Sequence, residues 1–323
     1  MGDVAMVVPL ILALKTQNEG VKITMVSNVF FKPIFQDIQN LDFIAIDTKK
    51  TQKGFIGILK IFWQIYQLKP THFADLHNSL RSKIIGFLLQ IVWVKKRTLK
   101  KGRKEKKELI ANKFFKPLTH TTERYADVMK KLNFNINLDS NFHLNKLNLL
   151  EKFKDIFSNH QKIIGVAPFA KHEAKTYPID LMQNVISKIC EDSQNFVFLF
   201  GGINERELLE KLCQNFENIS VVSSNFQEEL ALISNLNVML AMDSGNAHLS
   251  AIFGVKTITI WSGTHPFAGF SPYNQPVENY IVPDKKEFPS LPNSIFGNKI
   301  NDEVKAGFRS LNPDIIIEKL MKE

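Results

Sequence analysis

Apolar runs of strand length alternate with helix-length amphipathic segments along nearly the whole of this chain. Near-continuous apolar strands are buried on both faces, and strands joined through crossover helices lie parallel. In the first half Val21 to Val26 and Phe43 to Ile46 read as strands, with shorter candidates at Phe73 to Leu76 and Ile91 to Val94. Helical stretches between them run from Phe30 to Asn40, Ile56 to Leu68 and Ser82 to Leu89. In the second half the strands are Lys162 to Ala167, Asn195 to Phe200, Ile219 to Val222, Val238 to Met242 and Thr257 to Trp261. Asp180 to Cys190, Glu205 to Cys213, Gln227 to Ser234 and Asn246 to Phe253 are the helices that link them. The fold class is α/β.

The alternation pauses in the polar, Asn- and Lys-rich stretch from about Asn133 to His160, then restarts at Lys162. A chain of 323 residues accommodates two domains of ordinary size. The expected division is 1–155 and 156–323, two Rossmann-like domains with parallel sheets facing a central cleft. Ligands of such sheets bind at the carboxyl ends of the strands. The chain opens on a helix, Val4 to Lys15, directly after Gly2-Asp3. A doubly wound domain ordinarily opens on a strand, so the first strand of the N-terminal domain is expected upstream of Met1, about one strand's length away.

The formal net charge of +9 favours an anionic partner: a nucleotide, a phosphorylated glycolipid, nucleic acid or a membrane surface. Cys190 and Cys213 have neither CxxC spacing nor a Cys/His partner, so both are read as buried apolar thiols rather than a disulfide or zinc site. The run from Ile84 to Val94 is too short to span a bilayer at roughly 20 residues per crossing. No secretory leader pattern stands at the start. A cytoplasmic protein, in peripheral contact with the inner face of the membrane at most, is expected.

Val238 to Ala251 carries the strongest local signal: a buried strand, then Asp243-Ser244-Gly245, then a helix that opens at once. Unpaired N–H groups and the positive end of the helix dipole favour a phosphate there. Gly245 permits close approach, and Ser244 and His248 can donate to it. Taken alone, the pattern fits equally a helix capped by Asp243 or Ser244. The next strand ends in Gly263-Thr264-His265-Pro266, a second Gly/Thr turn on the same sheet edge. Lys171 and Lys175, in the loop after the Lys162 strand, suit a pyrophosphate leaving group, though a loop lysine is more often simply solvated. Glu205, after Gly201-Gly202, can hold ribose hydroxyls or a base amine, or merely begin a helix. Asp3 can act as a general base on an acceptor hydroxyl; in this chain by itself it is an N-cap.

These motifs, in this order, resemble the ADP-heptose:lipopolysaccharide heptosyltransferases, glycosyltransferase family 9, over nearly the whole length. The likeness is carried by Gly2-Asp3-Val4 with Pro9 and Leu14-Lys15, Lys175-Thr176-Tyr177-Pro178, and Gly201-Gly202 with Glu205. It continues through Asp243-Ser244-Gly245 with His248-Leu249 and Gly254, and Gly263-Thr264 with Pro266. The resemblance implies a GT-B fold, inverting transfer, an ADP-sugar donor, and no cofactor or required metal. It implies Asp3 as base and Lys175 as stabiliser of the leaving group. Ser244, Gly245, His248, Asp243, Glu205 and Thr264 would surround the donor. The chain contains no Asp-x-Asp of the kind that binds a divalent ion in other glycosyltransferases. Thr176 and Tyr177 depart from the Arg and Trp frequent in the family, and His265 from an acidic or amide side chain.

A dense basic run, Lys95-Lys96-Arg97 through Lys106-Lys107, lacks the interleaved aromatics of a single-strand nucleic-acid platform. It reads either as a solvated face or as a mobile flap gripping an anionic lipid-linked saccharide. Arg81, His120 and Arg124 are the candidate acceptor residues beside it, with Asp75, His77, Asn78 and Ser82 following a strand on the same side. The rival readings are a GT-B transferase with another nucleotide-sugar donor and a non-catalytic nucleotide-sugar-binding protein. No strand leads into Gly-x-Gly-x-x-Gly, which disfavours a dehydrogenase.

Overall fold

The computed structural model describes residues 1–47 and 52–322. In chain order it opens with α1 (Gly2–Ala5) and α2 (Val8–Gln17), then β1 (Ile23–Asn28), β2 (Leu41–Ile46), α3 (Gly54–Gln67), β3 (His72–Asp75), α4 (Leu80–Ile91) and β4 (Lys95–Thr98). Three helices follow, α5 (Arg103–Ile110), α6 (Thr121–Lys130) and α7 (Glu151–Asn159). The alternation then runs β5 (Lys162–Ala167), α8 (Ile179–Cys190), β6 (Asn195–Leu199), α9 (Arg206–Leu212), β7 (Ile219–Val221), α10 (Phe226–Asn235), β8 (Val238–Met242), α11 (Gly245–Ile252) and β9 (Lys256–Ile260). It closes with β10 (Tyr280–Ile281), α12 (Asp302–Arg309) and α13 (Pro313–Met321).

The chain forms two compact units. Unit 1 holds Met1, Asp3–Lys101 and Thr121–Phe142; unit 2 holds Gly2, Gly102–His120 and His143–Glu323. This division differs from the expected 1–155 and 156–323. Gly102–His120 leaves its neighbours in sequence because it is fastened to unit 2: Leu118 N–H donates to Phe267 O, and the Lys106 ammonium lies 3.7 Å from the Phe270 ring centroid. The polar stretch where the alternation pauses, Asn133 to His160, contains α7, which belongs to unit 2.

Unit 2 is built on one six-stranded parallel sheet in the order β10-β9-β8-β5-β6-β7. From β5 the chain winds outward through β6 to β7, then returns to β8 and winds the other way. The winding therefore reverses between β5 and β8, and a doubly wound sheet opens its ligand crevice at the carboxyl ends of such a pair. β6 and β8 are buried at every position, and β5 at all but Lys162. Val166, Val197, Leu240 and Ile258 from four neighbouring strands meet Val185, Ile186 and Ile189 of α8 in one core cluster.

In unit 1, β1 pairs with β2 and β3 with β4, both parallel. Helices α3 and α4 pack against each other over Ile58, Ile61, Ile65, Ile85, Leu89 and Val94. Three sequence expectations are corrected here. Ile91 to Val94 is not a strand: α4 runs to Ile91, Trp93 turns the chain through the left-handed region at φ 67°, and the strand is the basic β4 that follows. Long cationic side chains serve on β4 because it pairs only with β3 among the described residues and alternates between exposed and half-buried positions. The Phe30 to Asn40 stretch forms a 3-10 turn, Val29–Ile34, because Pro33 removes an N–H donor. The first helix breaks at Met6-Val7 and restarts with Pro9 in its first turn, a position proline favours.

The basic run contains β4 and helix α5, in which Lys106 is buried. Both cysteines are free; burial pushes the Cys190 thiol up to about 12 and the Cys213 thiol up to about 11. Among the described residues no helix is long and apolar enough to cross a membrane.

Candidate functional site

Three residues singled out in sequence meet at the carboxyl ends of β5, β8 and β9 in unit 2. β5 leads into a loop closed by the 3-10 turn Glu173–Lys175, which delivers the Lys175 side chain. β8 delivers Asp243 and β9 delivers Thr264. The Lys175 ammonium lies 2.7 Å from Asp243 Oδ2, and the Thr264 hydroxyl donates to the same oxygen at 2.9 Å. The ion pair is largely shielded, its side chains 16% and 9% exposed. One of the three ammonium N–H groups is directed at Asp243, which leaves two for a further acceptor.

Ser244 is the N-cap residue of α11, yet its side chain makes no capping hydrogen bond. Its Oγ is buried and has no hydrogen-bond partner among the described residues. Asp243 does not cap the helix either, since its carboxylate faces Lys175 and Thr264. The simple helix-cap reading therefore fails for both side chains. Gly245 begins the helix, His248 is buried one turn in, and the first N–H groups of α11 open beside the orphan hydroxyl. A lysine, a buried hydroxyl with a free donor and a helix N-terminus on adjoining strand ends make an arrangement that can receive an anion.

Lys175 is held by residues that the sequence reading passed over. Gly297, at φ 71°, lies so close that a Cβ there would fall 2.4 Å from Lys175 Cγ. Ser294 shapes that loop: its N–H donates to Gly263 O at 3.1 Å, and its Oγ accepts from Gly297 N at 3.0 Å. Gly263 in turn lies against the Lys175 loop, since a Cβ there would come 2.7 Å from Ala174 O. Pro292-Asn293-Ser294 with Gly297-Asn298 is a turn-forming cluster, the one local signal for this clamp.

Two of the departures from the family pattern, Tyr177 and His265, have local explanations. Tyr177 is buried, and its hydroxyl donates to Leu311 O at 2.5 Å, so it anchors the Lys175 loop to the core. His265 caps the next turn: its Nδ1 accepts from Phe267 N at 3.1 Å, as an Asn or Asp side chain would. Burial first, then Lys285, lowers the His265 imidazole to about 4, which keeps it neutral and able to accept.

Glu205 Oε2 accepts from Gly202 N at 2.6 Å and so closes the turn after β6. His120, in the segment fastened to unit 2, shares a 2.8 Å hydrogen bond between its Nε2 and Ser271 O, and burial is the main cause of its lowered pKa. In unit 1, Asp3 is exposed in α1, and its carbonyl accepts from the Tyr125 hydroxyl at 3.3 Å. Burial and the neighbouring Asp3 charge raise the Tyr125 pKa. Also in unit 1, Asp75 at the end of β3 takes the N–H groups of His77 and Asn78 on Oδ1, while Oδ2 is buried with no hydrogen-bond partner among the described residues. Arg81 is half-buried in the first turn of α4, and Arg124 lies on α6.

Comparison with known proteins agrees with this architecture. The chain is 23% identical over 284 residues to lipooligosaccharide heptosyltransferase 2 of Campylobacter jejuni serotype O:6, a match covering 84% of this chain and 82% of that protein. It superposes on a family 9 glycosyltransferase from Veillonella parvula with a TM-score of 0.73 at 17% identity, covering 100% of this chain and 95% of that one. It also superposes on the E. coli heptosyltransferase WaaC with ADP-2-deoxy-2-fluoro heptose, at a TM-score of 0.68 and 14% identity, covering 98% of this chain and 95% of the other. These likenesses show the fold, an α/β GT-B heptosyltransferase architecture with parallel sheets. The model of glycosyltransferase family 9 (heptosyltransferase) matches residues 71–294, a span that includes Lys175, Asp243 and Thr264, and the chain belongs to that family.

Proposed function

We propose that this family 9 glycosyltransferase moves a heptose from ADP-heptose to a saccharide of the lipopolysaccharide core, with inversion at the anomeric carbon. The observation that carries this reading is the orphan Ser244 hydroxyl at the start of α11, beside the Lys175–Asp243–Thr264 cluster. An ADP diphosphate supplies the acceptors that such a group of donors lacks. WaaC's complex with an ADP-heptose analogue supports the choice of nucleotide and sugar.

In the proposed reaction Asp3 takes the proton of an acceptor hydroxyl, whose oxygen attacks the anomeric carbon as the bond to the diphosphate breaks. Negative charge grows on the leaving oxygen, and the Lys175 ammonium with the N–H groups of Gly245 and its successors is positioned to neutralise it. Asp243 and Thr264 hold the ammonium in place, His248 contacts the diphosphate from the first turn of α11 with Ser244 and Gly245, and Glu205 faces the nucleoside. Arg81, His120 and Arg124 serve the anionic acceptor. The reaction requires no divalent ion.

Calorimetric titration with ADP, UDP and GDP, followed by transfer assays with the matching sugar nucleotides, tests the donor. ADP binding that weakens in Lys175→Ala and Ser244→Ala is expected, with transfer unchanged by chelators. Asp3→Ala is expected to abolish transfer while ADP binding persists; transfer at the wild-type rate would remove Asp3 as the base. Tighter binding of UDP or GDP would replace the donor and leave the site.

A further inference from the structure

Helix α3, Gly54–Gln67, is apolar almost all round, with Lys60 as its one charged residue. Ile58, Ile61 and Ile65 fill the core of unit 1. Such a helix is ordinarily buried on every side. Here Phe55, Ile56, Leu59, Trp63 and Tyr66 are exposed. Their spacing sets them along one continuous outward stripe. Helix α4, which packs beside α3, repeats the pattern: Leu80, Phe87 and Ile91 form an exposed stripe, and Trp93 follows directly. Trp93 is 95% exposed and occupies a left-handed position at φ 67°, where glycine or asparagine is usual. A bulky aromatic side chain is thus projected from the surface at a backbone position that disfavours it.

Charge identifies what this face meets. Between residues 52 and 101 the chain carries ten lysines and arginines and a single acid, Asp75, which is buried. Lys53, Lys60, Lys69, Lys83 and Lys95 are exposed among or beside the apolar stripes. Aromatic and branched aliphatic side chains rimmed by lysines, with no exposed carboxylate, match the acyl boundary and anionic headgroups of a lipid bilayer. A second copy of the chain across a two-fold axis would set these cations against one another. Nucleic acid would use stacking rings, whereas Ile56, Leu59, Leu80 and Ile91 have no π-face to offer a base.

We propose that the outward face of α3, α4 and Trp93 docks this protein on anionic membrane surfaces, the apolar stripes entering the headgroup boundary and the lysines pairing with lipid phosphates. The inference is independent of the donor reading, because docking needs neither ADP nor acceptor. It also makes no membrane-spanning segment necessary.

Vesicle flotation with the full chain tests it, using phosphatidylethanolamine–phosphatidylglycerol vesicles against phosphatidylcholine alone. Trp63 is exposed on α3 and Trp93 directly after α4, whereas the third tryptophan, Trp261, is 1% exposed, so tryptophan emission reports on insertion of these two. The chain is expected to float with the anionic vesicles only, with emission shifted to the blue and quenched by brominated acyl chains. The triple variant Phe55→Ser/Trp63→Ser/Phe87→Ser is expected to bind about tenfold more weakly or less. Lys53→Glu/Lys60→Glu/Lys83→Glu should fail on phosphatidylglycerol. ADP binding and thermal unfolding should stay as in the wild type for both variants. Should the apolar triple variant unfold, Trp93→Ser alone serves, because its side chain is almost wholly in solvent. Wild-type protein that stays at the bottom of the gradient, or variants that float equally well, would overturn the proposal. So would a single-stranded oligonucleotide that binds in place of the vesicles, or self-association that the apolar variant abolishes without any vesicle binding.

Discussion

The two units spend their apolar residues differently. In unit 2 the central strands β5, β6 and β8 are buried almost throughout, and the polar side chains sit at their carboxyl ends. In unit 1 every position of β1 is only half-buried, β2 is half-buried except at the exposed Asp42 and Ala45, and aromatic side chains stand on the outer faces of α3 and α4. A sheet that covers its own strands on both sides can hold charged groups rigidly at its edge, because the layers beneath them do not shift. Such a frame suits the Lys175–Asp243–Thr264 cluster, where small displacements carry a large cost. Unit 1 leaves apolar surface available for a partner, as a docking element does.

The sharpest way to break this contrast is to remove Asp243. Asp243→Ala leaves a largely shielded lysine without its counter-charge and Thr264 without its acceptor. Transfer should fall about 100- to 1,000-fold in kcat, with the fold retained, as circular dichroism would show. Core truncations compare the units directly. Leu240→Ala in fully buried β8 should cost about 3 kcal/mol of unfolding free energy, whereas Val26→Ala in half-buried β1 should cost about 1 kcal/mol. Equal losses in denaturant titration would show that unit 1 is packed as tightly as unit 2.

A smaller effect is expected at Gly297, where a Cβ would collide with the Lys175 stem and the backbone is left-handed. Gly297→Ala should lower kcat about tenfold through a displaced ammonium. An unchanged rate would mean that the lysine does not depend on this clamp. The smallest effect concerns pH. His265 titrates near 4 in the folded chain and near 6.5 when unfolded, so between these values the unfolded state binds more protons. Stability contributed by neutral His265 is therefore complete above about pH 6.5 and is lost as the pH falls toward 4. The half-buried His120 shifts in the same direction. Melting curves at pH 7 and pH 5 should separate in the wild type, and His265→Asn, which keeps an acceptor for Phe267 N–H, should narrow the gap.

The parts of the candidate site legible in sequence are those where one contiguous stretch carries both the local pattern and the strand-end geometry. The β8 strand, the Asp-Ser-Gly turn and the helix after it form one contiguous motif, and their apolar and glycine spacing states the geometry outright. Ser294 and Gly297 were passed over because they act across long sequence separation: Ser294 binds Gly263 O, and Gly297 meets Lys175. The Ile91 to Val94 run was misread because a short apolar stretch suits a helix end as well as a strand, and only packing over Ile85 and Leu89 selects the helix. Likewise, nothing in the composition of Arg103–Ile110 foretold that this basic helix would join unit 2, with Lys106 buried over Phe270.

The sequence by itself determined the α/β class, the parallel alternation of the second half, the family, and the placing of Lys175, Asp243 and Thr264 at strand ends. Hydrophobic period and turn chemistry are local properties, legible one segment at a time. Tertiary structure alone decided that Lys175 and Thr264 converge on one oxygen of Asp243, that the Ser244 hydroxyl is left without a partner, and that the outer faces of α3 and α4 remain uncovered. Those outcomes depend on which elements become neighbours in space. Strand order, crossover and burial settle that together, and no single stretch of sequence records it.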